Sequence, residues 1–147
     1  MLDAFAAQRI AGSRIECAPK LGNEAFWTLH RRIDVALDPF PMNGGTTTCE
    51  TLWMGVPVVT LKGGSFAGRA GCSILTTAGF PEWIAGSEED YLRIASELVR
   101  DRSYRARLRA EMRDQLRASA LLDGAVFTHG LEELYREAWR EWCAQKR

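Results

Sequence analysis

The residues with chemistry in them are gathered in one stretch, Asp38 to Leu61, which reads DPFPMNGGTTTCETLWMGVPVVTL. Asn43, Gly44 and Gly45 precede Thr46, Thr47 and Thr48, and Glu50 follows two residues later. Glycines let a backbone approach a ligand closely. A helix that starts at the threonines offers unpaired N–H groups and the positive end of its dipole, which suits phosphate. The hydroxyls add donors that carry no charge. Glu50 stands one turn in, where a carboxylate can accept two hydrogen bonds from a ribose diol. The same residues have a purely structural reading. Thr47-x-x-Glu50 is also a capping box, in which Glu50 reaches back to its own helix start. Spacing alone leaves both open. The stretch lacks the lysine of a phosphate-binding P-loop and the GxGxxG of a dinucleotide site.

The elements that must position this stretch alternate. Arg14 to Ala18 reads as a short edge strand. Asn23 is placed to cap a helix whose Phe26, Leu29, His30 and Ile33 recur at helical spacing. Asp34 to Asp38 is an apolar run of the kind found in strands buried on both faces. Pro39 to Gly45 is turn chemistry. Thr46 to Met54 reads as a helix stopped by Gly55. Val56 to Leu61 is the clearest strand. A helix over Phe66 to Thr77 and a short strand near Glu82 to Ala85 follow. Alternation of this kind implies a parallel α/β sheet with right-handed crossovers. Three or four strands are fewer than a complete doubly wound domain holds. The expected class is therefore a partial Rossmann-like parallel sheet with helices on both faces.

The last third, about residues 87–147, reads as helical. Ser87 with Glu88, Glu89 and Asp90 looks like a capped start. Tyr91, Ile94, Ala95 and Leu98 share one face. Ser103 to Ala118 is a very charged helix with Tyr104, Leu108, Met112 and Leu116 as a thin stripe. Its Arg/Glu-rich face reads as solvated surface with i,i+4 pairs. Phe127 to Lys146 carries Leu131, Leu134, Tyr135, Ala138, Trp139 and Trp142, a stripe that usually faces a core.

Composition narrows the classes. The 147 residues fit one domain, and 19 basic residues balance 19 acidic ones, which argues against a binder of nucleic acid. No apolar run is long enough to cross a membrane, and the N-terminus lacks the layout of a signal peptide. Cys17, Cys49, Cys72 and Cys143 are scattered and read as reduced, mostly buried thiols of a cytoplasmic protein rather than metal ligands. His30 and His129 have no nucleophile or acid at motif spacing and read as structural. Lys62, at a strand end, can reach toward the crevice, but it reads first as a solvated lysine.

Thr47 to Leu61, with Glu50-Thr51-Leu52, Gly55, Pro57 and Val58-Val59, resembles the nucleotide-sugar loop of GT-B glycosyltransferases. The longer stretch from Asp34, with Ala67-Gly68-Arg69, Ser73-Ile74-Leu75 and the Glu132, Leu134, Tyr135, Trp139 pattern, resembles the O-linked N-acetylglucosamine transferase (SPINDLY-like) family. The resemblance covers about Arg14 to Cys143. It implies an inverting enzyme without a catalytic metal or cofactor, which moves N-acetylglucosamine from UDP to Ser or Thr of an acceptor protein. It implies that Asn43, Gly44, Gly45 and Thr46 to Thr48 face the donor, with Thr46 and Thr47 on the diphosphate. By the same likeness Glu50 holds the ribose, and the segment Asn23 to His30 lies near the uridine. Gly45 stands where some members have His, and Glu50 where some have Asp. Arg69 matches a family Arg that lies near the ligand crevice or in a surface or interlobe salt bridge.

The family's general base, an early lysine on the diphosphate, the N-terminal lobe and the helical repeats have no counterpart in this chain. No catalytic residue is therefore expected here, and the chain reads as a single, truncated donor-binding domain that is inactive alone. In such enzymes the final helix packs on the N-terminal lobe, so part of its stripe is expected to be exposed. The rival expectation is a non-catalytic interaction module with a degenerate site, which dimerises through an exposed sheet edge.

Overall fold

The computed structural model describes residues 2–19 and 21–145. A short helix α1 (Leu2–Ala7) without buried residues opens the chain, and α2 (Asn23–Leu29) follows. Then come β1 (Ala36–Leu37), α3 (Thr46–Trp53), β2 (Val58–Leu61), α4 (Ala70–Ala78) and β3 (Ile84–Ala85). The last third is α5 (Glu88–Arg100), α6 (Arg102–Ala118) and α7 (Gly124–Gln145).

The strands form one parallel sheet in the order β1-β2-β3, with Ala36 opposite Val58 and Thr60 opposite Ile84. Right-handed crossovers put α3 and α4 on the same side. They touch each other and β2, while α5 lies along β2 and β3, so helices cover both faces of the sheet. β2 is the buried centre. Val58, Val59 and Thr60 are all 2% exposed or less. Leu52, Leu75, Trp83, Ile94, Leu108 and Met112 complete the core around it.

Several expectations need correction. Arg14 to Ala18 is not a strand. Gly12–Arg14 is a 3-10 turn and residues 15–19 have no regular structure. An extended segment needs a ladder partner, and among the described residues β1 pairs only with β2. For the same reason β1 is not buried on both faces, and Leu37 is 56% exposed. Gly22 holds the cap position of α2, and the Asn23 side chain lies outside the described residues, as does Lys146. The helix expected from Phe66 is a 3-10 turn over Ala67–Arg69 that leads into α4. Cys17 and Cys143 are exposed, because they sit in the irregular 15–19 stretch and on α7.

The charged face of α6 is the largest correction. Its arginines do not mainly form i,i+4 pairs. Arg109 donates from Nη1 to the carbonyls of His30 (2.9 Å) and Met54 (3.2 Å), and from Nη2 to that of Ile33 (2.6 Å). Arg113 donates to the Trp53 carbonyl and lies over the Trp53 ring. Arg105 donates to the carbonyls of Leu98 and Val99. Helix ends leave carbonyls without partners, and these cations supply them. The packing is close. Gly55 has φ +74, and a Cβ there would lie 3.0 Å from the Arg109 backbone. The C-terminal end of α3 is thereby fixed to α6.

Helix α7 has no buried residue. Tyr135, Trp139 and Trp142 are 67%, 64% and 49% exposed, and the two indoles stack with centroids 5.4 Å apart. The stripe is there, but among the described residues it does not join the core.

Candidate functional site

The site begins where β1 ends. Asp38 is 3% exposed. Its Oδ1 accepts the Gly44 N–H at 2.7 Å and its Oδ2 accepts the Thr60 hydroxyl at 2.7 Å. Asn43 donates from its side chain to the Pro39 carbonyl (3.1 Å) and accepts the Gly71 N–H (3.4 Å). These bonds fold residues 39–45 back over the strand ends. Gly44 sits in the tightest part of the loop. A Cβ there would lie 2.5 Å from Thr48 Oγ1 and 3.1 Å from Asp38 Oδ1.

Gly45 then caps α3 with no side-chain hydrogen bond. The Thr48 and Cys49 amides both bond to the Gly45 carbonyl. Among the described residues, the amides of Gly45, Thr46 and Thr47 have no hydrogen-bond partner. No acidic residue stands in the first turn. The capping box is not formed, because the cap position falls on Gly45, two residues before Thr47. Among the described residues, the side chains of Thr47 and Glu50 make no hydrogen bond either. Thr46 and Thr47 are exposed, Asn43, Gly44 and Glu50 half-buried, and Thr48 buried at 4%. Three free amides, two exposed hydroxyls and one carboxylate thus lie along the first turn of α3, and Thr47 and Thr48 line a narrow cleft of about 110 Å³ beside Asp38 and Pro39.

The helix behind these groups is held from several sides. Thr51 donates to the Thr47 carbonyl (2.7 Å). His30, 3% exposed, donates from Nδ1 to the Phe26 carbonyl (2.8 Å), and its Nε2 lies 3.1 Å from Thr51 Oγ1. That is a structural role, as expected, and it ties α2 to α3. His129 is exposed on α7. The segment 23–30 lines a larger cleft of about 750 Å³, through Glu24, Ala25, Thr28 and Leu29, opposite residues 16–19 and 21–22.

Arg69 makes no salt bridge among the described residues. Its guanidinium donates to the Gly64 carbonyl (2.5 Å), which closes the loop after β2. Burial pushes the Cys72 thiol up, and the positive charges of Lys62 and Arg69 oppose that shift, so both cations stand near the start of α4. Burial likewise raises the Cys49 thiol. Lys62 is exposed, as expected.

Two contributors escaped sequence reasoning. One is Asp38, read only as a strand end. The other is Tyr91, read only as core. The Tyr91 hydroxyl donates to the Asp38 carbonyl at 2.8 Å. Burial, with the Asp38 charge beside it, pushes this phenol up to about 12, so it stays a donor at any ordinary pH. The partners are 53 residues apart, and no local signal joins them.

A parallel sheet with helices on both faces and an open helix start beyond its first strand defines an α/β domain of the Rossmann-like class. The comparisons define it further. Residues 3–131 match the family described as Glycosyl transferase family 41, and the chain belongs to that family. It is 40% identical over 131 residues to a Petunia hybrida protein named probable UDP-N-acetylglucosamine–peptide N-acetylglucosaminyltransferase SPINDLY, covering 88% of this chain and 14% of that one. It is 35% identical over 109 residues to a Caenorhabditis elegans UDP-N-acetylglucosamine–peptide N-acetylglucosaminyltransferase, covering 74% and 10%. A solved structure of a Thermobaculum terrenum O-GlcNAc transferase mutant superposes with TM-score 0.89 at 41% identity, over 99% of this chain and 28% of that one. The chain thus spans about 14% of its curated relative's length.

Proposed function

We propose that this chain is the later part of the donor-binding lobe of an inverting glycosyltransferase, and that it holds UDP-N-acetylglucosamine. The observation that carries the reading is the open start of α3. The free amides of Gly45, Thr46 and Thr47 and the hydroxyls of Thr46 and Thr47 take the diphosphate. The helix dipole and nearby cations offset its charge, so no metal is required. Glu50 accepts from the ribose diol. Asn43, Gly44 and the buried Thr48 shape the loop rather than bind at length. Arg69 acts from the second loop, through the Gly64 backbone. The cleft lined by 23–30 is the place for the base.

The family membership supports a transferase that uses a nucleotide sugar and a protein acceptor. Alone, this chain binds and does not catalyse. Transfer needs groups from both lobes of such an enzyme held in register, and this chain supplies only the donor side. The working compartment is the cytoplasm, in keeping with four free thiols. Calorimetric titration with UDP tests the reading. Weak, saturable binding is expected, and its absence at millimolar UDP refutes it.

One observation favours a second reading. Among the described residues the outer edge of β1 is unpaired, and Leu37 there lies beside Leu92 and Val99, which are 56%, 65% and 55% exposed. A second copy paired through that edge would cover them. Sedimentation equilibrium separates the readings: a stable dimer that ignores UDP is the interaction module, and a UDP-binding monomer is the donor lobe.

A further inference from the structure

We propose that Asp38 is the positioning residue of the phosphate-facing loop: its buried carboxylate fixes the Gly44 backbone and thereby aims the amides of Gly45, Thr46 and Thr47. The proposal rests on the nucleotide reading of that loop.

Four parts of the fold meet at this residue. Oδ1 holds the Gly44 amide of the loop, and Oδ2 holds the Thr60 hydroxyl of β2. The main-chain carbonyl takes the Tyr91 hydroxyl of α5. The fourth is α4, where Gly71 makes room. A Cβ at Gly71 would lie 2.5 Å from Oδ2 and collide with Thr60 Oγ1. A Cβ at Gly44 would press on Oδ1. Two small residues on separate elements therefore leave the space that the carboxylate fills.

The charge itself is a poor choice for an anion site. A carboxylate beside the loop repels a diphosphate, and burying it is costly unless its oxygens are bonded. Charge-assisted bonds to an amide are short and strong, which fits a role in holding backbone. Geometry and charge can be separated by experiment. In Asp38→Asn, the amide oxygen still accepts from Gly44. The amide nitrogen can donate to Thr60 Oγ1, because a hydroxyl accepts as well as donates.

The test uses the 147-residue chain. UDP affinity, hydrogen exchange of the Gly44 amide and thermal midpoint are measured for wild type, Asp38→Ala and Asp38→Asn. The expected result for Asp38→Ala is UDP binding weakened roughly tenfold or more, in line with loss of a charged hydrogen bond, with a Gly44 amide that exchanges freely. Asp38→Asn keeps that amide protected and stays within about threefold of wild-type affinity, because it preserves the acceptor. If Asp38→Ala does not fold, Asp38→Ser, too short to reach Gly44, takes its place. Unchanged UDP affinity in a folded variant with a freed Gly44 amide overturns the proposal and leaves the nucleotide reading standing. So does an Asp38→Asn chain that loses as much affinity as Asp38→Ala. A wild-type chain that shows no UDP binding overturns the nucleotide reading and takes this proposal with it.

Discussion

The start of α3 and the starts of the three C-terminal helices are built in opposite ways. Ser87 accepts the Asp90 amide at the start of α5, and Asp101 accepts that of Tyr104 at the start of α6. Asp123 accepts the amides of Ala125 and Val126 at the start of α7. Acidic residues fill the first turn of α5. Each of these helices satisfies its own end and lowers its own positive potential. α3 does neither. Its cap is a glycine, its first turn is threonine, and its carboxylate is held back to Glu50. The starts of α2 and α4, with Gly22 and Arg69 at the cap, also lack a side-chain cap, but Asn43 accepts the Gly71 amide at the start of α4, whereas α3 is left open and is anchored from behind by Asp38, His30, Arg109 and Arg113.

The comparison can be broken most forcefully at Gly44. Gly44→Ala forces a methyl against Thr48 Oγ1. We expect UDP binding to vanish and stability to fall by about 1–3 kcal/mol, the usual cost of overpacking; titration and urea melts read the two effects. Next are Thr47→Ala and Glu50→Ala. Each removes a group that makes no hydrogen bond among the described residues, so each weakens UDP binding by roughly tenfold while the thermal midpoint stays put. A drop in midpoint with unchanged UDP affinity would return these residues to a capping role.

A pH series sharpens the link between α5 and the site. The folded Tyr91 phenol titrates near about 12, above the ordinary value of about 10. A raised pKa favours the protonated, folded chain. This contribution is therefore complete below about pH 10 and is lost as pH rises through about 12. Thermal midpoints measured across that window should fall for wild type and fall less for Tyr91→Phe. Smaller again is Ser87→Ala. It costs about 1 kcal/mol of stability, as cap removal does, and leaves UDP affinity unchanged. The smallest effect is expected from deleting residues 124–147. No described residue of α7 is buried, so the melting midpoint should move by only a degree or two, on the order of a surface change.

How much of this was legible in the sequence depends on how local the cause is. The glycine–threonine start of α3, the β2 strand and the Ser87 cap are set by neighbours in the chain, and they stand where the residue pattern puts them. The edge position of β1 is different. Val35, Ala36 and Leu37 form an apolar run either way, and only the number of neighbouring strands decides how far Leu37 is covered. Arg109 and Arg113 of α6 read as solvated charge because their acceptors are carbonyls 55 to 79 residues away, which carry no sequence signature. Asp38 and Tyr91 are hidden for the same reason. The stripe on α7 is plain in the sequence, but a stripe does not say what covers it. Within the candidate site, the groups facing outward were legible and the groups holding them were not.

The central claim is that the open start of α3 is a diphosphate site. An amide NMR titration of the isotopically labelled chain with UDP tests it most directly. Saturable shifts are expected, centred on Gly45, Thr46 and Thr47 and absent in Gly44→Ala, with the capped starts at Ser87 and Asp101 silent. Shifts that spare Gly45 to Glu50, or none at millimolar UDP, would contradict it.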